Sequence, residues 1–251
     1  MNPRVAFFDF ASCEGCQLQV VNCEDEIPAL AKVVDIVNFR EALTERSDDY
    51  DIAFIEGSCT READIPRLEG IRKNAKVIVA IGACACLGGV NSLKNLRPME
   101  EGMKYVYGKE AKLYNTFPTR PISAVIQVDL QIPGCPISKE EFLRVVGEVL
   151  LGKVPSIPND PVCNECKKAG NVCAFDKGQT CLGPITRGGC RAACVTSGTL
   201  CYGCRGLIDE PNVNAEKEVL AEAGLCVDDL IKKFNLYNTW QQDTWQEVAK
   251  K

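Results

Sequence analysis

A chain of 251 residues with 46% hydrophobic and 25% charged residues can bury a sizeable core, in one domain or in a domain plus a smaller module. Its formal net charge of −5 argues against a nucleic-acid surface as the main role. No uninterrupted apolar run reaches the roughly 18 residues of a membrane-spanning helix, and the composition is otherwise ordinary except for 16 cysteines and no histidine.

The N-terminal stretch MNPRVAFFDFASC runs straight into a strand-like segment, with no basic region, long apolar stretch and cleavage site, so a cytoplasmic chain is expected. Thiols stay reduced in that compartment, and abundant cysteine then points to metal ahead of a disulfide framework.

In chain order, RVAFFDF (4–10), VVDIVNF (33–39), DIAFIEG (51–57), KVIVAIGAC (76–84) and AVIQVDLQIPGC (124–135) are short apolar, β-branched runs. They are predicted to be buried strands of a largely parallel sheet. Helix-compatible segments lie between or after them, at about 14–32, 60–73 and 138–151. The last opens on Ser138 with Glu141 three residues on, a capping-box pattern. The alternation predicts an α/β fold, a doubly wound parallel sheet over residues 1–153.

Residues 154–211 open on a proline-rich linker and are rich in Cys, Gly and Pro, with little periodicity. Such a segment cannot fill a core with side chains and needs another staple, most simply metal. Residues 212–251 contain EKEVLAEAGL and VDDLIKKFNLYNTW and are predicted to form a helical, amphipathic tail.

The cysteines sort by place. Cys13 and Cys16 (SCEGCQ), Cys84 (GACACLGG) and Cys135 (PGCP) follow predicted strands, where the loops of an open α/β sheet converge on ligands. Thiols from three such loops can meet, although buried cysteine also serves as a small apolar side chain. The second part holds Cys163-x2-Cys166-x6-Cys173-x7-Cys181, then Cys190-x3-Cys194-x6-Cys201-x2-Cys204. Four thiolates suit zinc or an iron–sulfur cluster, so spacing alone leaves a zinc-ribbon binding module as an alternative. The strand-end cysteines and the Gly-rich wrapping, whose N–H groups can donate to cluster sulfurs, favour iron.

Taken together, SCEGCQ, EGS (56–58), GACACLGG, PGCP and CLGPITRGGC with CYGCRG resemble the small, electron-transferring subunit of [NiFe] hydrogenases. The resemblance spans about residues 4–208 and is nearest to cytosolic members, the sulfhydrogenase delta subunits and the F420-non-reducing (viologen-reducing) small subunits. It implies a flavodoxin-like domain with a proximal [4Fe–4S] cluster on Cys13, Cys16, Cys84 and Cys135, then a Cys-rich domain with two more clusters. The distal set would be Cys163, Cys166, Cys173 and Cys181, and the medial set Cys190, Cys194, Cys201 and Cys204. Periplasmic relatives use a histidine on the distal cluster, which this chain cannot supply. Three [4Fe–4S] clusters held by cysteine alone are therefore expected.

The resemblance also implies that the nickel–iron site and any flavin lie in partner subunits: a hydrogenase large subunit, and flavin- or iron–sulfur-containing electron-transfer subunits. No catalytic residue is expected in this chain. Glu56 is given a part in proton transfer near the subunit interface, and a carboxylate capping the turn after its strand is the other reading. The proximal motif is also similar to the related subunit of respiratory complex I, so a hydrogenase-like complex without nickel is the second functional reading. Cys23, Cys59, Cys86 and Cys226 are expected to be buried small side chains or incidental thiols. Arg187, Arg191 and Arg205 flank medial cysteines, where they would raise a cluster potential or merely be solvated.

Overall fold

The computed structural model describes residues 2–211, 218, 219, 221, 222, 224 and 226–241. Strands β1 (Arg4–Asp9), β2 (Asp35–Asn38), β3 (Ile52–Glu56), β4 (Val77–Ile81) and β5 (Leu130–Ile132) pair in parallel, in the order β2-β1-β3-β4-β5. That is the flavodoxin-like order, with its switch point between β1 and β3.

Helices α1 (Gly15–Val21), α2 (Ile27–Leu30), α3 (Asp64–Asn74), α4 (Gly82–Leu87), α5 (Met99–Tyr107) and α6 (Lys139–Leu150) complete this part. The strands are apolar on both faces, and their period of two divides them between two core layers. Val5, Phe7, Ile52, Phe54, Val79 and Ile81 face Val20 of α1 and Phe142, Val145 and Val146 of α6. Ala6, Phe8, Ala53, Ile55, Ile78 and Ala80 face Leu68 and Ile71 of α3 and Leu87 of α4. Phe7 stacks between Phe39 and Phe54, with centroids 4.4 and 4.9 Å away, and each buried ring stabilises by about 1.5–3 kcal/mol.

Several predicted elements are shorter than expected. The helix expected over 14–32 breaks at Asn22, and Pro28 sits in the first turn of the short second piece. The fourth strand stops at Ile81 because Gly82 adopts φ +85°, which turns the chain straight into α4. The fifth keeps only Leu130–Ile132, while Ile122–Ala124 forms a 3₁₀ turn whose Ile122 is buried. Residues 85–123, for most of which nothing was predicted, hold the end of α4, then α5 between 3₁₀ turns Val90–Leu96 and Gly108–Leu113.

Beyond Lys153 come α7 (Val162–Lys168), α8 (Ala193–Thr196) and α9 (Val227–Asn238). Apolar packing here is thin: Val162, Ala174, Ala192 and Leu200 surround Cys181 and Cys201. Leu182 and Ile185 meet Leu230 and Phe234 of α9. The predicted tail is therefore helical at Val227–Asn238, and residues 212–217, 220, 223, 225 and 242–251 lie outside the described residues.

A buried ion pair joins the Cys-rich segment to α6. Arg205 donates through Nη1 to Glu141 Oε2 (2.7 Å) and through Nη2 to Oε1 (2.9 Å), with both side chains almost fully enclosed. It also donates to the carbonyls of Pro133 and Gly188 at 2.6 Å each. A solvated surface role for Arg205 is thereby corrected. Ser138 does cap α6, accepting the Glu141 N–H at 3.3 Å. The reciprocal half of the capping box is missing, because the Glu141 carboxylate is engaged by Arg205.

Candidate metal centre

Cys16 is fixed by the strand beside its own. Glu56, the last residue of β3, is 2% exposed. Its Oε1 accepts the N–H of Cys16 (3.0 Å) and its Oε2 that of Gln17 (2.9 Å). The carboxylate thus satisfies N-terminal N–H groups of α1 that no helix carbonyl can reach. The Cys16 sulfur lies against Gly82, where a Cβ would come within 2.4 Å of it, so only glycine lets these two loops approach. Ala83 donates its N–H to the Gly134 carbonyl (2.6 Å), drawing the loop after β5 onto the start of α4. Cys84 thereby lies within electrostatic reach of Cys135, Cys13 and Cys16. Thiols from three strand-end loops are thus brought near one another.

Burial pushes the Cys16 thiol far up and the Cys84 thiol up to about 12, with neighbouring thiols and Glu56 adding to the effect. Such groups keep their protons at neutral pH until a cation compensates the thiolate. A metal binding here must therefore displace protons.

The second set lies next door. Cys190, Cys194, Cys201 and Cys204 line one cavity of about 50 Å³, together with Cys135. Burial raises Cys190 and Cys201, and pushes Cys204 up to about 12. Their sulfurs accept hydrogen bonds: Cys190 from the N–H of Ala192 and Ala193, and Cys201 from the N–H of Gly203. Cys204 accepts from the N–H of Cys135. The set is compact and rich in sulfur and N–H donors, with Cys201 buried and Cys194 exposed, which suits a thiolate-ligated cluster.

In the third set, the sulfurs of Cys163 and Cys181 lie 3.2 and 3.5 Å from where a Cβ on Gly183 would stand. Cys201 donates its N–H to the Cys181 sulfur at 3.3 Å, so the second and third sets also touch. Cys166 follows Cys163 on α7 and packs on the cluster containing Cys181, whereas Cys173 is exposed. Among the described residues, no three His, Cys, Asp or Glu side chains are placed to hold a single metal ion.

Cys23, Cys59 and Cys86 are buried, and Cys226 is exposed. Arg187 pairs with Asp209 (2.7 Å) and donates to the carbonyls of Pro158 and Leu207. Arg191 is mostly exposed, 3.5 Å from Glu140. Two residues escaped the motifs. Glu165, inside the CNEC pair, accepts the N–H of Gly189 (2.7 Å) and of Ala192 (3.2 Å), which shapes the loop at Cys190. Tyr237, on the tail helix, hydrogen-bonds the Cys135 sulfur. Only Glu165 left a signal, its place between two cysteines. Among the described residues no helix is long and apolar enough to cross a membrane.

Residues 13–149 match the family described as NADH ubiquinone oxidoreductase, 20 Kd subunit. The chain is 31% identical over 239 residues to the sulfhydrogenase 2 subunit delta of Pyrococcus furiosus, covering 94% of this chain and 100% of that one. It is 30% identical over 270 residues to a vhu subunit of the F420-non-reducing hydrogenase of Methanocaldococcus jannaschii, covering 94% and 93%. A chain of the NAD⁺-reducing [NiFe]-hydrogenase solved in the H2-reduced state matches with a TM-score of 0.58 at 26% identity, over 63% of this chain and 96% of that chain.

Proposed function

The chain belongs to the NADH ubiquinone oxidoreductase 20 Kd subunit family, among relatives of the sulfhydrogenase delta subunit, and from that membership we propose that it is the electron-relay small subunit of a cytoplasmic, multi-subunit [NiFe] hydrogenase. The observation that carries this reading is the contiguity of the thiol sets. Cys135 of the first set donates to Cys204 of the second, and Cys201 of the second donates to Cys181 of the third. Zinc staples would have no need of such an order.

Bound [4Fe–4S] clusters would supply one-electron acceptors in series. The ligands would be Cys13, Cys16, Cys84 and Cys135 (proximal), Cys190, Cys194, Cys201 and Cys204 (medial), and Cys163, Cys166, Cys173 and Cys181 (distal). Cys173, exposed in this chain, would complete the distal set. Glu56 and Glu165 hold the N–H groups at Cys16 and beside Cys190 in place, and burial keeps water from Cys16, Cys181 and Cys201. Hydrogen would be split to two protons and two electrons on a large partner subunit, and the electrons would leave toward a flavin- or ferredoxin-type subunit. The division into residues 1–153, 154–211 and a tail follows from the same assignment.

The family's description favours one second reading, an oxidoreductase complex of related build without nickel. Anaerobic purification of the intact complex separates the two. The hydrogenase reading expects one nickel per complex, hydrogen uptake, and about twelve irons on this chain. Iron without nickel or uptake would move the assignment to the second reading, and a colourless zinc protein would end both.

A further inference from the structure

Tyr237 stands on α9, outside every cysteine motif. Its half-buried ring packs on the apolar layer that also receives Cys204. Its hydroxyl donates a hydrogen bond to the Cys135 sulfur. The same ring lines the cavity of Cys190, Cys194, Cys201 and Cys204. The next residue locks the helix there: Asn238, fully buried, donates through Nδ2 to the Gly203 carbonyl at 3.0 Å, inside the loop that carries Cys201 and Cys204. Cys135 meanwhile donates its own N–H to the Cys204 sulfur. The tail helix is therefore fastened at the place where the first two thiol sets touch, with one tyrosine facing both.

We propose that Tyr237 is a positioning residue for the passage between the proximal and medial clusters: its hydroxyl sets the reduction potential of the proximal group through Cys135, and its ring closes the seam at Cys204 to water. The inference rests on the relay reading above. A donor to a ligand sulfur stabilises the added negative charge of the reduced cluster and so raises its potential. The tyrosine keeps its proton and its electrons throughout, and the electron passes between the groups that the cysteines hold.

The test is Tyr237→Phe in the whole complex, purified anaerobically, with iron analysis and an EPR-monitored redox titration. Phenylalanine keeps the ring and removes only the donor. Iron content is expected to stay at the wild-type value, with the proximal potential lowered by about 30–60 mV. That shift equals a three- to tenfold change in a one-electron equilibrium. Tyr105→Phe, at a side chain 93% exposed on α5, is expected to shift nothing. A 3-fluorotyrosine placed at 237 retains the fold and strengthens the donor, and is expected to move the potential upward. A wild-type complex without iron would overturn the relay reading itself. Full iron with an unmoved proximal potential in both variants would overturn only the role of Tyr237, as would iron loss in Tyr237→Phe together with an unmoved fluorotyrosine variant.

Discussion

Both oxygens of Glu56 accept backbone N–H groups at the start of α1, so this carboxylate caps the helix after the neighbouring strand and not the turn after its own. Glu56→Ala would strand two buried donors at about 1–3 kcal/mol each. It is expected to cost the chain about four irons, the content of one cubane, by iron analysis. Glu56→Gln retains one acceptor and is expected to keep its iron. Slower hydrogen turnover in that iron-replete variant would support the proton-transfer part, and unchanged turnover would remove it. The thiols outside the three sets divide by burial. Cys23 and Cys59 are fully enclosed, and desolvation raises both. Iodoacetamide at pH 8 is expected to spare them in the folded chain and to modify exposed Cys226, as peptide mapping would show. At this scale the cysteines were legible because one residue type recurs in ordered motifs. Tyr237 was not, since a hydrogen bond between residues 102 positions apart (237 less 135) leaves no spacing to read.

At the scale of elements, the strands were legible from apolar runs, and their excess length has local causes. Gly82 ends β4 by its positive φ, and Ile122 and Ile126 are buried at a turn, which hydrophobicity cannot distinguish from a strand. The capping box at Ser138 was half right for a tertiary reason. Arg205 lies 64 residues further on and takes the carboxylate that local sequence assigns to the helix. Arg205→Met would leave Glu141 buried without its partner, a loss of about 3–5 kcal/mol. The expected result is a clear fall in the thermal unfolding midpoint under anaerobic conditions. Glu141→Leu combined with Arg205→Met is expected to recover most of that fall, because replacing both charges with apolar groups of similar size is often neutral. A double variant as unstable as the single one would show that the fold needs the arginine's bonds to the Pro133 and Gly188 carbonyls as well as the ion pair.

Across the whole molecule, the two parts are held by different means. The sheet has two apolar layers built from dozens of buried side chains, whereas residues 154–211 gather only small clusters such as Val162, Ala174, Ala192 and Leu200 around cysteines. Anaerobic removal of iron is therefore expected to leave the sheet folded and to open residues 154–211 to protease. Limited proteolysis with mass spectrometry reads this directly, and an iron-free chain resistant throughout would mean that side-chain packing suffices. Composition alone marks out the Cys-, Gly- and Pro-rich stretch over 154–211. It could not announce that α9 returns to the sheet domain, since an amphipathic helix does not name the surface it covers.

The salt link between Glu141 and Arg205 also sets an order of events during synthesis. Translation delivers Glu141 ahead of Arg205 by 64 residues, an interval of about 3–13 s at 5–20 residues per second. Until the arginine emerges, the carboxylate has reason to stay in water, and the loop bearing Cys135 remains uncovered on that side. That interval is a window in which Glu141 stays open to solvent reagents before the later segment closes over it. Ribosome-bound chains halted short of residue 205 are expected to accept a carbodiimide label at Glu141 that the finished protein refuses. Equal labelling of both would remove the window.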